Sequence, residues 1–235
     1  MIDRKNELAE RTTLVREELA EAAKKAGRTP DDITLVAVSK LHPASDIRAL
    51  AETGHVDFGE NYVQEAVDKQ KTLADLKVNW HFIGGLQSNK AKFVAGKFGL
   101  VHSVDSLKLA QALSRKALGQ ETVQDILIQV NIAGEVQKSG IVVEELPSLA
   151  EAVMEMEGIR LVGLMTLPPF FDEPERARPV FSRLRELKDM VESQVGARLP
   201  HLSMGMTGDF IPAVEEGATL VRIGTRIFGV RPPKV

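Results

Sequence analysis

Apolar residues along the chain follow two alternating patterns, one typical of helices and one typical of strands. Residues 3–27 place apolar side chains at helical spacing and end at Gly27, a frequent helix terminator, which predicts an amphipathic opening helix. After it, short runs rich in β-branched residues predict strands, separated by stretches with helical spacing. Eight strands are predicted, at 33–40, 55–59, 80–84, 100–104, 125–132, 160–167, 201–205 and 219–224, with helices between them at 44–53, 61–75, 89–97, 106–118, 143–156, 174–195 and 209–216.

This alternation predicts an α/β fold with a parallel sheet, because each strand must return to the same end through a crossover. Eight strand–helix units favour closure into a (β/α)8 TIM barrel, whose strands are covered on both faces and can be continuously apolar, as in ILIQVNI at 126–132. An open doubly wound sheet is the alternative, but its G-x-G-x-x-G turn is absent after the first strand. We therefore expect one barrel domain over residues 1–235, with an extra N-terminal helix.

Composition and charge narrow the classes of function. The 235 residues contain no cysteine, which excludes disulfides, thiolate metal sites, iron–sulfur clusters and a cysteine nucleophile, and which fits a cytoplasmic protein. With 30 basic and 33 acidic residues, the chain has no polycationic character for binding nucleic acid. The first residues lack the apolar run of a signal peptide, and the apolar stretch at 161–171 is shorter than the ~20 residues that span a bilayer. We expect no membrane segment and a poorly ordered tail at 231–235.

The ends of the strands are where a barrel of this kind collects its functional residues. Lys40 terminates the apolar first strand, VAVSK, where desolvation would disfavour its charged form and leave an amine able to form a Schiff base with a carbonyl. The alternative is a lysine that emerges at the rim into solvent, and the position alone favours that reading.

The last two loops and the last strand carry further candidates. The loops in LSMGMTGD and VRIGTRIFG are rich in small residues, and main-chain N–H groups with the hydroxyls of Ser203 and Thr225 would form a phosphate cup. Each loop alone is a weak signal, since the alternative is a turn that needs glycine, but that alternative explains a single glycine better than it explains two matched loops. Arg222 lies within the final strand, where an inward position requires an acceptor or ligand and an outward one would pair with a helix carboxylate. Sequence alone does not decide between these positions.

Other kinds of site are not supported. The five histidines, His81 among them, lack H-E-x-x-H or another tight ligand spacing, so they are expected as hydrogen-bonded core or rim residues, and we expect no metal. No G-x-x-x-x-G-K-[ST] sequence is present for a nucleotide. Asn61, in FGENYVQE, is expected to cap the following helix, although it could also face the site.

Eight segments in order resemble one family along nearly the whole chain. The segments are AVSK (37–40), FGENYVQE (58–65), WHFIGGLQSNK (80–90), HSVDS (102–106), VNIAGEVQKSG (130–140), GLMTL (163–167), LSMGMTGD (202–209) and VRIGTRIFG (221–229). With them the chain closely resembles the pyridoxal phosphate homeostasis proteins, which are similar to the barrel domain of alanine racemase and of other fold-type III pyridoxal phosphate enzymes. Two positions depart from the pattern: Thr207 stands where serine is expected, and Gly85 stands where a larger residue is common.

The resemblance implies a site for pyridoxal 5′-phosphate. It implies that Lys40 forms a Schiff base with the cofactor and that Arg222 contacts the pyridine nitrogen. The phosphate would be held by Ser203, Met204, Gly205, Gly224 and Thr225, while Asn61, His81 and Met165 would lie near the ring. Lys138, in QKSG, is the second lysine to consider as the attachment point.

The same resemblance bears on whether the protein is an enzyme. A cationic Arg222 disfavours a protonated ring nitrogen and so weakens the electron sink on which the cofactor's chemistry depends. Racemases with the same arginine use a tyrosine base on the opposite face, and this chain has one tyrosine, Tyr62. We therefore expect a carrier without catalytic residues that stores, buffers or delivers pyridoxal phosphate to apo-enzymes, as a monomer or weak dimer. The alternatives are a low-activity amino-acid racemase and a class I aldolase acting on a sugar phosphate.

Overall fold

Eight parallel strands form a closed barrel in the computed structural model, which describes residues 3–135 and 139–230. The strands pair in chain order, and the last pairs with the first, which confirms the predicted (β/α)8 barrel. The strands are β1 Thr34–Val38, β2 Asp57–Glu60, β3 Asn79–Phe82, β4 Leu100–Val104, β5 Gln124–Gln129, β6 Ile159–Met165, β7 His201–Met206 and β8 Leu220–Ile223.

The helices between strands depart from prediction in three places. The segment predicted as a helix at 89–97 is a 3₁₀ helix, Ser88–Phe93, in which only Ala91 is buried, so it lacks the apolar stripe that stabilises an α-helix. The helices predicted at 143–156 and 174–195 each begin as a 3₁₀ turn. The α-helices are α1 Arg4–Lys25, α2 Ala44–Ala51, α3 Val63–Thr72, α4 Leu107–Leu118, α5 Leu146–Met154, α6 Arg178–Val195, α7 Phe210–Glu215 and α8 Thr225–Phe228, the last of which was not predicted.

The extra N-terminal helix covers the side where the barrel closes. The register of β1 on β8 runs from Thr34 opposite Leu220 to Ala37 opposite Ile223. Helix α1 packs on α2, α7 and α8, which follow β1, β7 and β8. Its buried face includes Leu8 and Val15, as its helical spacing predicts. The first and last parts of the described chain are therefore joined in one layer.

Buried side chains form two apolar groups. The larger one lies between the strands and the surrounding helices and includes Phe58, Phe82 and Phe181. The smaller one fills the inside of the barrel with inward-facing residues from five strands: Val36, Leu100, Leu127, Met165 and Leu220. Buried polar residues share that interior, and buried polar groups need hydrogen-bond partners.

Two further expectations concern membrane-spanning helices and the tail of the chain. None of the helices among residues 3–135 and 139–230 is long and apolar enough to cross a membrane. The tail at 231–235 lies outside the described residues.

Candidate functional site

A cavity of about 560 Å³ opens at the carboxyl ends of the barrel strands. Its volume is in the range of small-molecule sites, ~300–1,000 Å³. Five of the sequence-predicted residues line it together, although they come from distant parts of the chain: Lys40, Asn61, Arg222, Gly224 and Thr225. The remaining wall comes from Val38, Ile83, Met206–Asp209 and the segment after β6, which supplies Leu167, Pro168, Pro169, Phe170, Phe171, Pro174 and Ala177.

Asn61 faces this cavity and does not cap a helix. The N-cap of α3 is Tyr62, so the cap expected from FGEN is wrong by one residue. The side-chain oxygen Oδ1 of Asn61 is buried and has no hydrogen-bond partner among the described residues. Its backbone is held by a close approach to Gly84, where a Cβ atom would come within 2.1 Å of the Asn61 carbonyl oxygen. Asn61 therefore lines the cavity and carries a buried acceptor that has no partner among the described residues.

Arg222 points inward, which decides between the two positions left open by the sequence. It is 3% exposed and lines the cavity. Its Nη1 donates to Ser203 Oγ at 2.5 Å, and its Nη2 donates to the Thr166 carbonyl at 3.1 Å. Burial lowers the pKa of Arg222 to about 10, while the negative charge of Asp209 acts in the opposite direction. The guanidinium therefore remains cationic at neutral pH.

A chain of hydrogen bonds continues from Arg222 through the inside of the barrel. Ser203 Oγ lies 2.8 Å from His102 Nδ1, and His102 Nε2 lies 3.0 Å from His81 Nδ1. His81 Nε2 lies 3.0 Å from Asp57 Oδ1. Asp57 is the first residue of β2, so this series of hydrogen bonds connects the cavity with the opposite end of the barrel.

When both histidines are neutral, one arrangement of protons satisfies every bond in this series. His81 Nε2 then donates to Asp57, so His81 Nδ1 accepts from His102 Nε2 and His102 Nδ1 accepts from the Ser203 hydroxyl. That hydroxyl in turn accepts from Arg222, which can only donate. Complete burial holds the pKa of His102 well below its usual range, which agrees with this assignment. For Asp57, burial alone would raise the pKa, but bonds from His81 and Asn79 hold it below its ordinary value.

The β7 residues of the predicted phosphate cup lie inside the strand. Ser203, Met204 and Gly205 were expected to hold the phosphate after the seventh strand, although the strand predicted at 201–205 includes them, and they lie within β7, which runs to Met206. The Ser203 hydroxyl is bonded to Arg222 and His102, and Met204 packs in the outer core. Gly205, inside the strand, has a φ of +90° and approaches α7 closely, since a Cβ on it would lie 2.7 Å from the Ala213 Cβ.

The loop that faces the cavity begins at Thr207, directly after β7. Thr207, Gly208 and Asp209 line the cavity beside Thr225, whose Oγ1 donates to Thr207 Oγ1 at 3.3 Å. Asp209 fixes the loop because its Oδ1 accepts the Met206 N–H at 2.6 Å. Burial raises the pKa of Asp209, partly offset by that bond. Sequence reasoning noticed Thr207 only as a departure from the family's serine, whereas the structure places it in the loop that lines the cavity.

The other predicted residues lie away from the cavity. His81 and Met165 are buried inside the barrel, the first in the hydrogen-bond chain and the second in the inner apolar group. Lys138 is outside the described residues. The phenol-bearing Tyr62 is 52% exposed and is not part of the lining. Among the described residues, no group of three His, Asp or Glu side chains could hold a metal ion.

Known proteins match this chain along most of its length. Residues 15–232 match the family model for the alanine racemase N-terminal domain. A curated protein of Pseudomonas aeruginosa, named pyridoxal phosphate homeostasis protein, is 48% identical over 95% of this chain and 96% of its own length. One of the same name from Aquifex aeolicus is 45% identical over 94% of this chain and 97% of its own. The chain belongs to the pyridoxal phosphate homeostasis protein family.

A solved structure is similar to this chain along most of its length. PipY of Synechococcus elongatus, solved with pyridoxal phosphate bound, superimposes with a TM-score of 0.78 and 37% identity, and covers 90% of this chain and all of PipY. The resemblance stated from eight sequence segments is therefore confirmed along the chain.

Proposed function

We propose that this chain binds pyridoxal 5′-phosphate in the cavity and acts in the homeostasis of that cofactor, by storing, buffering or delivering it. The observation that carries the proposal is the meeting of Lys40, Arg222 and two neighbouring threonine hydroxyls in one cavity of cofactor size. An amine, a cation and hydroxyl donors are the groups that an aldehyde, a pyridine nitrogen and a phosphate need. The cofactor reported in PipY supports the same ligand.

The residues of this cavity fit the cofactor in four places. Lys40 would hold it covalently as a Schiff base through its aldehyde. Thr207 and Thr225, with the backbone of their loops, would bind the phosphate in place of Ser203. Arg222 would donate to the ring nitrogen, and the unpartnered Asn61 Oδ1 would accept a hydrogen bond from a ring hydroxyl.

The same side chains favour a carrier over an enzyme. When bound, the cofactor supplies an electron sink that works best with a protonated ring nitrogen. Arg222 would keep that nitrogen unprotonated, because two like charges at hydrogen-bond distance are disfavoured. Tyr62, which could have served as a second base, is exposed outside the lining. Lys40 and Asp209 are the remaining proton carriers there, so any racemase activity is expected to be weak.

Delivery of the cofactor requires proteins that receive it and a compartment in which the transfer takes place. We propose that the recipients are apo-enzymes that depend on pyridoxal phosphate, and that the protein works in the cytoplasm. Phe170, in the segment that lines the cavity, is 89% exposed and would offer a recipient an apolar contact beside the site.

The test follows the cofactor from uptake to release. Purified protein is mixed with pyridoxal phosphate, its absorbance is recorded before and after borohydride, and the reduced peptide is mapped. The mapped site should be Lys40. The loaded protein is then mixed with an apo-enzyme in the presence of a phosphatase that destroys free pyridoxal phosphate. Recovery of enzyme activity under these conditions supports direct delivery; rapid interconversion of D- and L-alanine by the loaded protein would instead identify a racemase.

A further inference from the structure

The turn that carries Lys40 is held on both sides by side chains from other elements. On one side, the Ser39 hydroxyl donates to Glu60 Oε1 at 2.7 Å. On the other, the Leu41 N–H donates to Glu65 Oε1 at 2.6 Å. The residues immediately before and after the lysine are therefore fixed, although neither carboxylate lies in the lining of the cavity.

Lys69, on α3, joins these contacts into one cluster. Its Nζ donates to the Ser39 carbonyl at 2.8 Å, to Glu60 Oε1 at 2.7 Å and to Glu65 Oε1 at 2.6 Å. The ammonium group has three protons, so all of them are used. The side chains of Lys69 and Glu60 are 8% and 0% exposed. We call Glu60, Glu65 and Lys69 the ion cluster.

Stability alone does not explain such a cluster. Removing two carboxylates and an ammonium from water is costly, and apolar residues of similar size are often as stable in a buried position. Glu60 shows this penalty, since burial raises its pKa even though Lys69 acts against the rise. Its second oxygen, Oε2, is buried without a partner among the described residues. The cluster therefore has a role beyond filling space.

Leu41 indicates what that role is. Its φ angle is +65°, in the left-handed region that residues other than glycine rarely adopt. Such a conformation persists only where the surroundings impose it. The Leu41 N–H bond to Glu65 is a contact that imposes it, and Lys69 holds Glu65 in place.

We propose that Glu60, Glu65 and Lys69 are positioning residues for Lys40, which hold the Ser39–Leu41 turn so that the amine is presented to the cavity. The inference rests on the proposed function, because it concerns the lysine to which the cofactor would attach. The ion cluster acts on the turn and not on the ligand.

The first experiment uses cofactor-free protein and three variants. Lys69→Met removes the ammonium, and Glu65→Ala removes the acceptor of the Leu41 N–H from a partly exposed position. Lys71→Met is the matched control, because Lys71 lies on the same helix with a side chain that is 74% exposed. Circular dichroism first establishes that each variant is folded. Hydrogen exchange of the Leu41 amide should become about tenfold faster or more in both cluster variants and stay unchanged in the control.

The second experiment separates presentation of the amine from damage to the cavity. The rate of covalent uptake is measured by quenching with borohydride and counting labelled chains by mass spectrometry. The cluster variants should take up pyridoxal phosphate about tenfold more slowly or worse, whereas their affinity for pyridoxine 5′-phosphate, which has no aldehyde, should stay within about threefold of the unmodified protein.

The outcomes are distinguishable from failure of the proposed function. If the unmodified protein takes up no cofactor, the proposed function fails, while Leu41 exchange still tests the hold on the turn. Unchanged exchange in both cluster variants overturns the inference. Faster exchange with unchanged uptake also overturns it, because the ion cluster would then be a structural support only. Equal losses of uptake and of pyridoxine phosphate affinity would place the effect in the cavity and overturn it as well.

Discussion

Arg222 and Ser203 share a hydrogen bond of 2.5 Å inside the barrel, and this bond ties the serine into the series of hydrogen bonds that leads to His102. A hydroxyl that accepts from a guanidinium and donates to His102 has no proton left for a phosphate. The hydroxyls that remain at the loop are those of Thr207 and Thr225.

The first prediction concerns phosphate recognition. Replacing Thr225 with valine keeps the branched shape and removes the hydroxyl, which should weaken pyridoxal phosphate binding by about 0.5–3 kcal/mol and leave pyridoxal binding unchanged. Ser203→Ala is the comparison variant, and its ratio of the two affinities should equal that of the unmodified protein. Spectral titration with both vitamers measures the ratios. A selective loss of phosphate preference in Ser203→Ala would contradict this assignment.

The second prediction concerns covalent attachment. Lys40→Ala should remain folded, with a melting temperature within a few degrees of the unmodified protein, because the residue lies at the rim and contributes little to either core. It should lose the borohydride-reducible bond to the cofactor. Mass spectrometry after reduction measures the attachment, with the exposed Lys77→Ala as control. Labelling of Lys40→Ala at full yield would direct attention to Lys138.

The third prediction compares two adjacent glycines. A Cβ at Gly84 would lie 2.1 Å from the Asn61 carbonyl oxygen, whereas the nearest atom to a Cβ at Gly85 is 3.8 Å away. Gly84→Ala should therefore destabilise the protein by more than about 2 kcal/mol, since backbone must move, while Gly85→Ala should stay within about 0.5 kcal/mol of the unmodified protein. Urea unfolding measures both. Equal stabilities would mean that the two loops are not in this close contact.

The fourth prediction concerns stability against pH. Burial lowers the pKa of His55 from 6.5 to about 4, with a smaller contribution from Arg16. Between these values the unfolded chain binds the proton more readily, so stability rises with pH. The contribution is fully present above pH 6.5 and is lost as pH falls through about 4, with a maximum near 3 kcal/mol.

The matched variant for this effect is His55→Gln, which cannot titrate. Subtracting its unfolding free energy from that of the unmodified protein at each pH cancels the other titrating groups. The difference should fall as the solution is acidified. A difference that is flat between about pH 4 and 6.5 would show that His55 titrates normally in the folded state.

The fifth prediction concerns the protons inside the barrel. Nitrogen-15 chemical shifts should show His102 neutral with its proton on Nε2 throughout about pH 6 to 8, because its pKa lies well below the usual range. His81 should show the same tautomer. A doubly protonated His102 within that interval would contradict the proposed direction of the hydrogen bonds.

The sequence predicts the barrel well because each strand and helix has its own local pattern of apolar residues and this pattern is repeated along the chain. Each strand is a short apolar run between helical stretches, and β4 falls at the predicted 100–104. The 3₁₀ segment at Ser88–Phe93 escapes prediction because a few apolar residues at helical spacing do not reveal how many of them are buried.

The sequence predicts the site less completely than the fold, because a local pattern does not show which positions along a strand or loop reach the cavity. Lys40 and Arg222 were singled out because a charged residue in or directly after an apolar strand is noticeable wherever that strand begins and ends. Ser203 was placed at the phosphate because LSMGMTGD was interpreted as a small-residue turn that leads into a helix, and because the family resemblance implies it. The pairing of Glu65 and Lys69 with the turn at Leu41 is invisible to local patterns, since it joins α3 to a loop more than twenty residues earlier.

The pairing of β1 with β8 sets the order in which this protein can be completed during synthesis. Lys40 leaves the ribosome early, but Thr207, Arg222 and Thr225 are made near the other end of the chain. Until β8 is in place, β1 has one open edge and the nascent chain exposes surfaces that the finished barrel covers. Cofactor capture by the released chain would therefore report that translation and folding have both finished, and a chain stopped before β8 would carry the amine without the rest of its cavity.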